Sequence, residues 1–422
     1  MIYEEILPNS FKIIHEHIPH SRVISFGIWL REGSRDEPEE KSGILHFIEH
    51  MLFKGSKNFS SKEIAKITDR LGGEVDAFTS KEFMGINCKV LDKNFEKAME
   101  LISDIFLHPL FLDDDIENEK KVICEEIKSV EDDPEDLSME LFFMNFFQNH
   151  PLGRSILGSE KTVKSLKRED LLEKHSSTFI SSKTFFASSG SISFENIKNA
   201  VDRYFGKLHF SPSSRNISPP KFFPGIFYKN KKELEQIHIV LGFPAFSQKS
   251  KKRFPFFILN EILAGGFSSR LFQRIREEKG LAYSVGSSPA TFLDCGIWTI
   301  FCDTNKKNLK EVMDVIKEEL EKIKDGDINE DEVERGKEHL KGGFFLNLES
   351  SSSRMAYLAR NELYHGKQIP PDSFLEEIDK VDLKEIKEVA KELIDFQKLG
   401  IFLLGDLPKH REIEKLSINS GV

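Results

Sequence analysis

The sequence predicts an α+β protein of two homologous domains, each a mostly antiparallel sheet with helices packed on one face. Three observations predict it. At 422 residues the chain exceeds what one core usually holds, which favours about two domains of ~200 residues each. The Ser- and Pro-rich stretch SPSSRNISPPKFFPG, residues 211–225, lacks apolar periodicity and reads as an extended linker. Segments before this stretch recur after it in the same order. The expected division is therefore a first domain over 1–210, a linker over 211–225 and a second domain over 226–422.

Taken in order, FKIIHEHIPHSRVISFGIWLREGS reads as a strand pair and precedes the helical pattern LHFIEHMLF. In the second half LEQIHIVLGFPAF precedes FFILNEILAGG, with the apolar positions aligning at a displacement of about 211 residues. GGEVDAFTSKEFMGINCKVL then resembles GLAYSVGSSPATFLDCGIWTIFC, and DDDIENEKKVICEEIKSV resembles INEDEVERGKEHLKGGFF. This is the pattern of a duplicated α+β unit. The polar residues are not duplicated: where the first copy has His46, Glu49 and His50, the second has Phe257, Asn260 and Glu261. One copy is read as carrying chemistry and the other as keeping the scaffold.

Composition narrows the function classes. A net charge of -10 and a pI near 5.8 argue against nucleic acid or an anionic membrane as the main partner, because both need a basic surface. The compact basic run Lys249, Lys251, Lys252 and Arg253 reads as a solvated loop or helix start. The opening MIYEEILPNSFKII has the pattern of neither a signal nor a transit peptide, and no apolar run approaches the roughly 18 residues that span a bilayer. A soluble, cytoplasmic chain is expected. Cys88, Cys124, Cys295 and Cys302 lack CxxC spacing and read as reduced core thiols.

The segment KSGILHFIEHMLFKG reads as a helix with Ser42 as N-cap and Gly55 as its stop. His46, Glu49 and His50 fall at i, i+3 and i+4, on one stripe. Their neighbours Ile44, Leu45, Phe47, Ile48, Met51 and Leu52 are apolar, so the helix is meant for burial, and three titratable groups on a buried helix need a reason. A divalent metal supplies one: two imidazoles bind it, and the carboxylate between them can take a proton from the attacking water. HxxEH is the inverted form of the HExxH zinc motif. A third ligand is expected, and the acidic helix DDDIENEKKVICEEIKSVEDDPED offers Glu119 and Glu126, two turns apart on one face, with Glu125 about 100° away.

HFIEH, followed by EKKVICEE, resembles the pitrilysin/insulinase family of inverzincin zinc peptidases, which includes the β-subunit of mitochondrial processing peptidase. The resemblance runs through nearly the whole chain. It implies that Glu126 is the third ligand of one Zn2+ and Glu119 its supporting carboxylate. In GGFSSRLFQRIREEKGLAYSV it implies that Arg276 and Tyr283 hold the substrate backbone and stabilise the tetrahedral intermediate. In GGEVDAFTSKE it implies an edge strand, with Asp76, Ala77, Phe78 and Thr79, that pairs with an extended substrate. Many relatives have Asn where this chain has Asp76. HPLGRSILG also looks like a family segment, in which His150 reads as part of a structural turn.

The resemblance further implies a zinc endopeptidase acting on unfolded peptides or flexible termini inside a chamber closed by a dimer, either of two copies or with a homologous chain. Two other classes compete. Two His and one carboxylate also make the facial triad of non-haem iron enzymes, which leaves Glu49 unexplained. Some family members are non-catalytic partner subunits, and those usually have a damaged HxxEH.

Overall fold

The computed structural model of the chain describes residues 1–210 and 214–414; positions 211–213 of the expected linker and 415–422 of the expected second domain lie outside the described residues. Among the described residues eleven strands form two sheets: β1 Ile2–Ile6, β2 Lys12–His17, β3 Val23–Leu30, β4 Glu74–Thr79, β5 Met84–Leu91 and β6 Thr184–Gly190 in the first, then β7 Gly225–Asn230, β8 Ile237–Ala245, β9 Ala282–Thr291, β10 Gly296–Thr304 and β11 Gly400–Gly405 in the second. The first sheet runs β1-β2-β6-β3-β5-β4 and the second β7-β11-β8-β10-β9. In each, one parallel pair (β2 with β6, β7 with β11) is followed by antiparallel pairs only. The second sheet therefore repeats the first without β1, which is the duplication expected from the two halves.

Alternation along the strands gives each sheet two apolar faces. Ile13, Ile28, Leu30 and Phe186 point to a core shared with the helices Ile44–Leu52 and Phe95–Leu107. Their neighbours Ile14, Trp29, Phe185 and Ala187 point the other way, onto Met355, Leu358 and Ala359 of the helix Ser351–His365. In the second sheet Ile239, Leu241, Ile300 and Leu403 meet the helices Arg253–Ala264, Leu309–Lys324 and Leu383–Leu393. Val240, Ile297, Phe402 and Leu404 instead meet the helix Pro134–Phe146. Gly242 and Gly400 lie under the rings of Phe142 and Phe146, where a Cβ would collide with them. Each sheet thus carries a helix on its second face in addition to the expected layer on the first.

Those covering helices come from the opposite half of the sequence. The described residues within 1–129, 154–217 and 347–368 make one compact unit, and those within 130–153, 218–346 and 369–422 the other. The units do not follow one cut at 211–225, because a sheet with two apolar faces needs two covers and each half supplies one cover to the other. Within the first unit the borrowed helix is tied by charge as well as packing: Glu362 accepts hydrogen bonds from Lys12 and Arg31, and Arg354 donates to Glu16 at 2.8 Å. Of the expected linker, 214–224 has no helix or strand, and Arg215 donates twice to Asp36, at 2.7 and 2.6 Å. All four cysteines are free and buried, and among the described residues no helix is long and apolar enough to cross a membrane.

Candidate metal centre

The helix Ile44–Leu52 buries Ile44, Leu45, Phe47, Ile48, Met51 and Leu52 around one flank and carries His46, Glu49 and His50 on the other. It starts one residue later than its sequence suggests. The N-cap is Gly43, not Ser42, with φ 91° and no side chain to cap with. A Cβ at Gly43 would fall 2.5 Å from the Leu157 carbonyl oxygen, so the crowded, left-handed entry into the helix requires glycine. The helix ends at Leu52, capped by Phe53, before Gly55 is reached.

Facing it, the helix Asp113–Asp132 opens on three aspartates that complement its dipole and presents Glu119 and Glu126 on one side. His46 Nε2 lies 3.7 Å from Glu126 Oε1, and His50 Nε2 lies 3.4 Å from Glu126 Oε2. One donor atom from each of the three residues can be chosen so that all lie within 4.8 Å of one another, and among the described residues this is the only such group of His, Cys, Asp and Glu. Ligands at the usual Zn–N and Zn–O lengths sit about 3.3 Å apart around a tetrahedron, close to the distances Glu126 already keeps from His46 and His50. Glu126 Oε2 is buried without a hydrogen-bond partner, as fits a donor shaped for something other than its neighbours. Two imidazoles and a carboxylate are the donor set of a catalytic zinc site.

The two imidazoles sit in different electrostatic surroundings. Burial, helped by the charge of His50, pushes the His46 pKa down to about 3, so its imidazole is neutral and able to ligate. Burial would also lower His50, but the hydrogen bond and charge of Glu119, with Glu126 and Glu49, raise it instead. Glu119 accepts from His50 Nδ1 at 2.8 Å and from Lys54 Nζ at 2.6 Å. Burial pushes the Glu119 pKa up, and those two partners reverse the shift to hold it below the ordinary carboxylate range. Glu119 thus fixes the ring of His50 with Nε2 toward Glu126. Lys54 is a supporting residue that sequence reasoning did not single out.

Glu49 is raised to about 7, chiefly by burial; the Thr79 hydroxyl and His50 oppose the shift, while Asp76 and Glu126 add to it. Asp76 and Thr79 belong to β4, which among the described residues pairs with β5 alone and ends the first sheet. Within β4, Ala77 is buried, Phe78 packs on Trp29, and Asp76 is exposed. β4 therefore offers a free backbone edge beside the carboxylate that two of its side chains influence.

Arg276 and Tyr283 lie in the second unit. Arg276 is in the π-helical segment Phe272–Glu278, and its guanidinium stacks 4.5 Å over the ring of Tyr283 at the start of β9. Tyr283 is 78% exposed, so packing does not explain it. The remainder of the duplicated site is structural: Asn260 accepts from Ser287 at 2.7 Å and from Trp298 Nε1 at 3.0 Å, and Glu261 pairs with His339. Aligned from their first residues, Asp113 and Glu330, the two long helices place Gly336 and Gly343 where the first has Glu119 and Glu126. His150 receives the Leu152 N–H within a turn, as its segment suggested.

Comparison with known proteins places these features in a lineage. A family model described as Insulinase (Peptidase family M16) matches residues 12–160, and one described as Peptidase M16 inactive domain matches 165–340. The chain is 36% identical over 410 residues to the uncharacterized zinc protease YmxG of Bacillus subtilis (strain 168), covering 97% of this chain and 100% of that protein. It is 34% identical to an uncharacterized zinc protease of Mycobacterium leprae (strain TN), over 94% of this chain and 90% of the other. The same fold occurs in a protease from Helicobacter pylori, with TM-score 0.87 and 22% identity over 96% of this chain and 99% of that one. It occurs also in a peptidase M16 inactive domain from Pseudomonas fluorescens, with TM-score 0.87 and 18% identity over 97% and 98%. With relatives this similar along nearly its whole length, the chain belongs to peptidase family M16, the insulinase family.

Proposed function

We propose that the protein is a zinc-dependent endopeptidase that hydrolyses unfolded peptides or flexible protein termini. The observation that carries this reading is the convergence of His46, His50 and Glu126 beside a half-buried Glu49. Zinc held by those three residues would act as a Lewis acid and lower the pKa of the attacking water. His46 contributes a neutral imidazole, and His50 one whose orientation Glu119 and Lys54 hold. Glu49 takes the proton of the attacking water and returns one to the leaving amine. β4, unpaired on one side, adds the extended substrate as a further strand. Arg276 and Tyr283 take the part the family resemblance assigns them, donors to the substrate backbone and to the developing oxyanion. The working particle in this reading is a dimer, of two copies or with a homologous chain. No observation favours the iron-enzyme reading, which has no use for Glu49 between the two histidines.

The test is cleavage of an unstructured, quenched fluorescent peptide library by wild type, Glu49→Gln and chelator-treated protein, with zinc content measured alongside. Wild type alone is expected to cut, and Glu49→Gln to retain its zinc. Zinc-loaded wild type that cuts nothing, or Glu49→Gln that cuts at the wild-type rate, would overturn the assignment.

A further inference from the structure

The metal-bearing helix lacks a capping side chain at its own N-cap, yet its first turn is buried, and unpaired N–H groups there would be costly. The segment before it supplies the answer. Arg35 pairs with Glu82 at 2.6 Å, and Asp36 pairs with Arg215. Between the strand and the helix, Glu37 turns the other way: Oε2 accepts the Gly43 N–H at 2.8 Å and Oε1 the Leu45 N–H at 2.9 Å. Leu45 directly precedes His46, so the second of these bonds holds the backbone that carries the first imidazole. Glu37 is buried.

The HPLGRSILG segment completes the arrangement. Arg154 donates to the Glu37 carbonyl oxygen at 2.6 Å. Gly158, at φ 75°, lies so close to Ser42 that a Cβ would strike the Ser42 carbonyl oxygen. Two stretches distant in sequence, 37–45 and 154–158, therefore meet at the start of one helix.

We propose that Glu37 is a positioning residue for the metal centre, its carboxylate capping the helix that carries His46, Glu49 and His50 and thereby setting where the first imidazole stands. A side chain at Gly43 could not do this, because glycine is required there. Loss of the cap loosens the first turn, which moves His46 more than His50 one turn further on. The consequence for zinc rests on the reading given under Proposed function; the cap itself does not.

The experiment compares wild type with Glu37→Gln, Glu37→Ala and a control, Glu32→Gln, which alters another buried carboxylate of the same unit, one paired with Lys174 and Lys183. Amide hydrogen exchange at Gly43 and Leu45 reads the cap without metal or substrate, and is expected to be about 10-fold faster in Glu37→Gln. Zinc affinity, from competition with a chromophoric chelator, is expected to weaken about 10-fold in Glu37→Ala and less in Glu37→Gln, with kcat falling while KM stays within about twofold. The control is expected to leave all of these within about twofold of wild type. Unchanged exchange together with unchanged zinc affinity would overturn the proposal, as would a control that loosens zinc as much as Glu37→Gln. If Glu37→Ala does not fold, Glu37→Gln decides by the same readings. A wild type that binds no zinc refutes the enzyme assignment instead, and exchange at Gly43 and Leu45 then decides the cap alone.

Discussion

Replacing Glu119 by alanine removes the group that holds the outer nitrogen of His50. Two contacts go with it, from His50 Nδ1 at 2.8 Å and Lys54 Nζ at 2.6 Å. The Glu119 side chain is only 5% exposed, so its bond to the imidazole counts as a buried charge-assisted hydrogen bond, worth about 1.5–3 kcal/mol. Lys54 is 37% exposed, so its contact counts as a near-surface pair of less than about 1 kcal/mol. A freed His50 ring must be ordered by the metal itself, which corresponds to a zinc affinity about 10- to 100-fold weaker, or ~1.4–2.7 kcal/mol. The hydrogen-bond and affinity figures agree in size. Glu119→Gln keeps an oxygen for the Nδ1 proton and is expected at the mild end, about 10-fold. Lys54→Met is expected to cost no more than about threefold. The assay is chelator competition for zinc, followed by peptide turnover at saturating zinc. Glu119→Ala that binds zinc within about twofold of wild type would refute the reasoning, and so would a larger loss in Lys54→Met than in Glu119→Ala.

In zinc-free protein the raised pKa of Glu49 favours folding when the group is protonated: its contribution is fully present below about pH 4.5 and lost as pH rises through about 7. Thermal unfolding of Glu49→Gln against wild type should therefore show the variant gaining relative stability from pH 5 to pH 8, and a pH-independent difference would contradict the burial of this carboxylate. Because Tyr283 is exposed, Tyr283→Phe is expected to change stability by less than about 0.5 kcal/mol, as is Arg276→Ala, while each lowers kcat by about 10²-fold. Loss of stability without loss of turnover would make this pair structural. Gly158→Ala is expected to destabilise the protein by at least about 1–3 kcal/mol, through its positive φ and its collision with the Ser42 carbonyl, and an unchanged unfolding temperature would disprove the close packing.

Much of the candidate site could be read from local spacing. His46, Glu49 and His50 share a stripe because 3.6 residues per turn fixes that geometry wherever the segment is helical, and Glu119 and Glu126 share a face for the same reason. That these two helices face each other does not follow from spacing; the 76 residues between His50 and Glu126 became meaningful only through the family resemblance. The expected N-cap at Ser42 failed because the cap comes from Glu37, outside the helix, and because Leu157 packs against Gly43, a contact no local pattern encodes. Lys54 draws its role from Glu119, which lies on another helix, so no local pattern singles it out.

The sequence by itself determined the duplicated α+β plan, the loss of the polar triad from the second copy and the stripe of His46, Glu49 and His50 on one helix. These are periodicity and residue chemistry, both of which are local. Only the tertiary structure decided that each sheet is covered on its second face by a helix from the other half of the chain, and that β4 is a free edge beside Glu49. It also decided that Glu37 caps the metal-bearing helix. Those outcomes depend on which apolar faces and unpaired backbone groups find each other across long stretches of chain, and burial rewards any partner of suitable shape without leaving a spacing rule in the sequence.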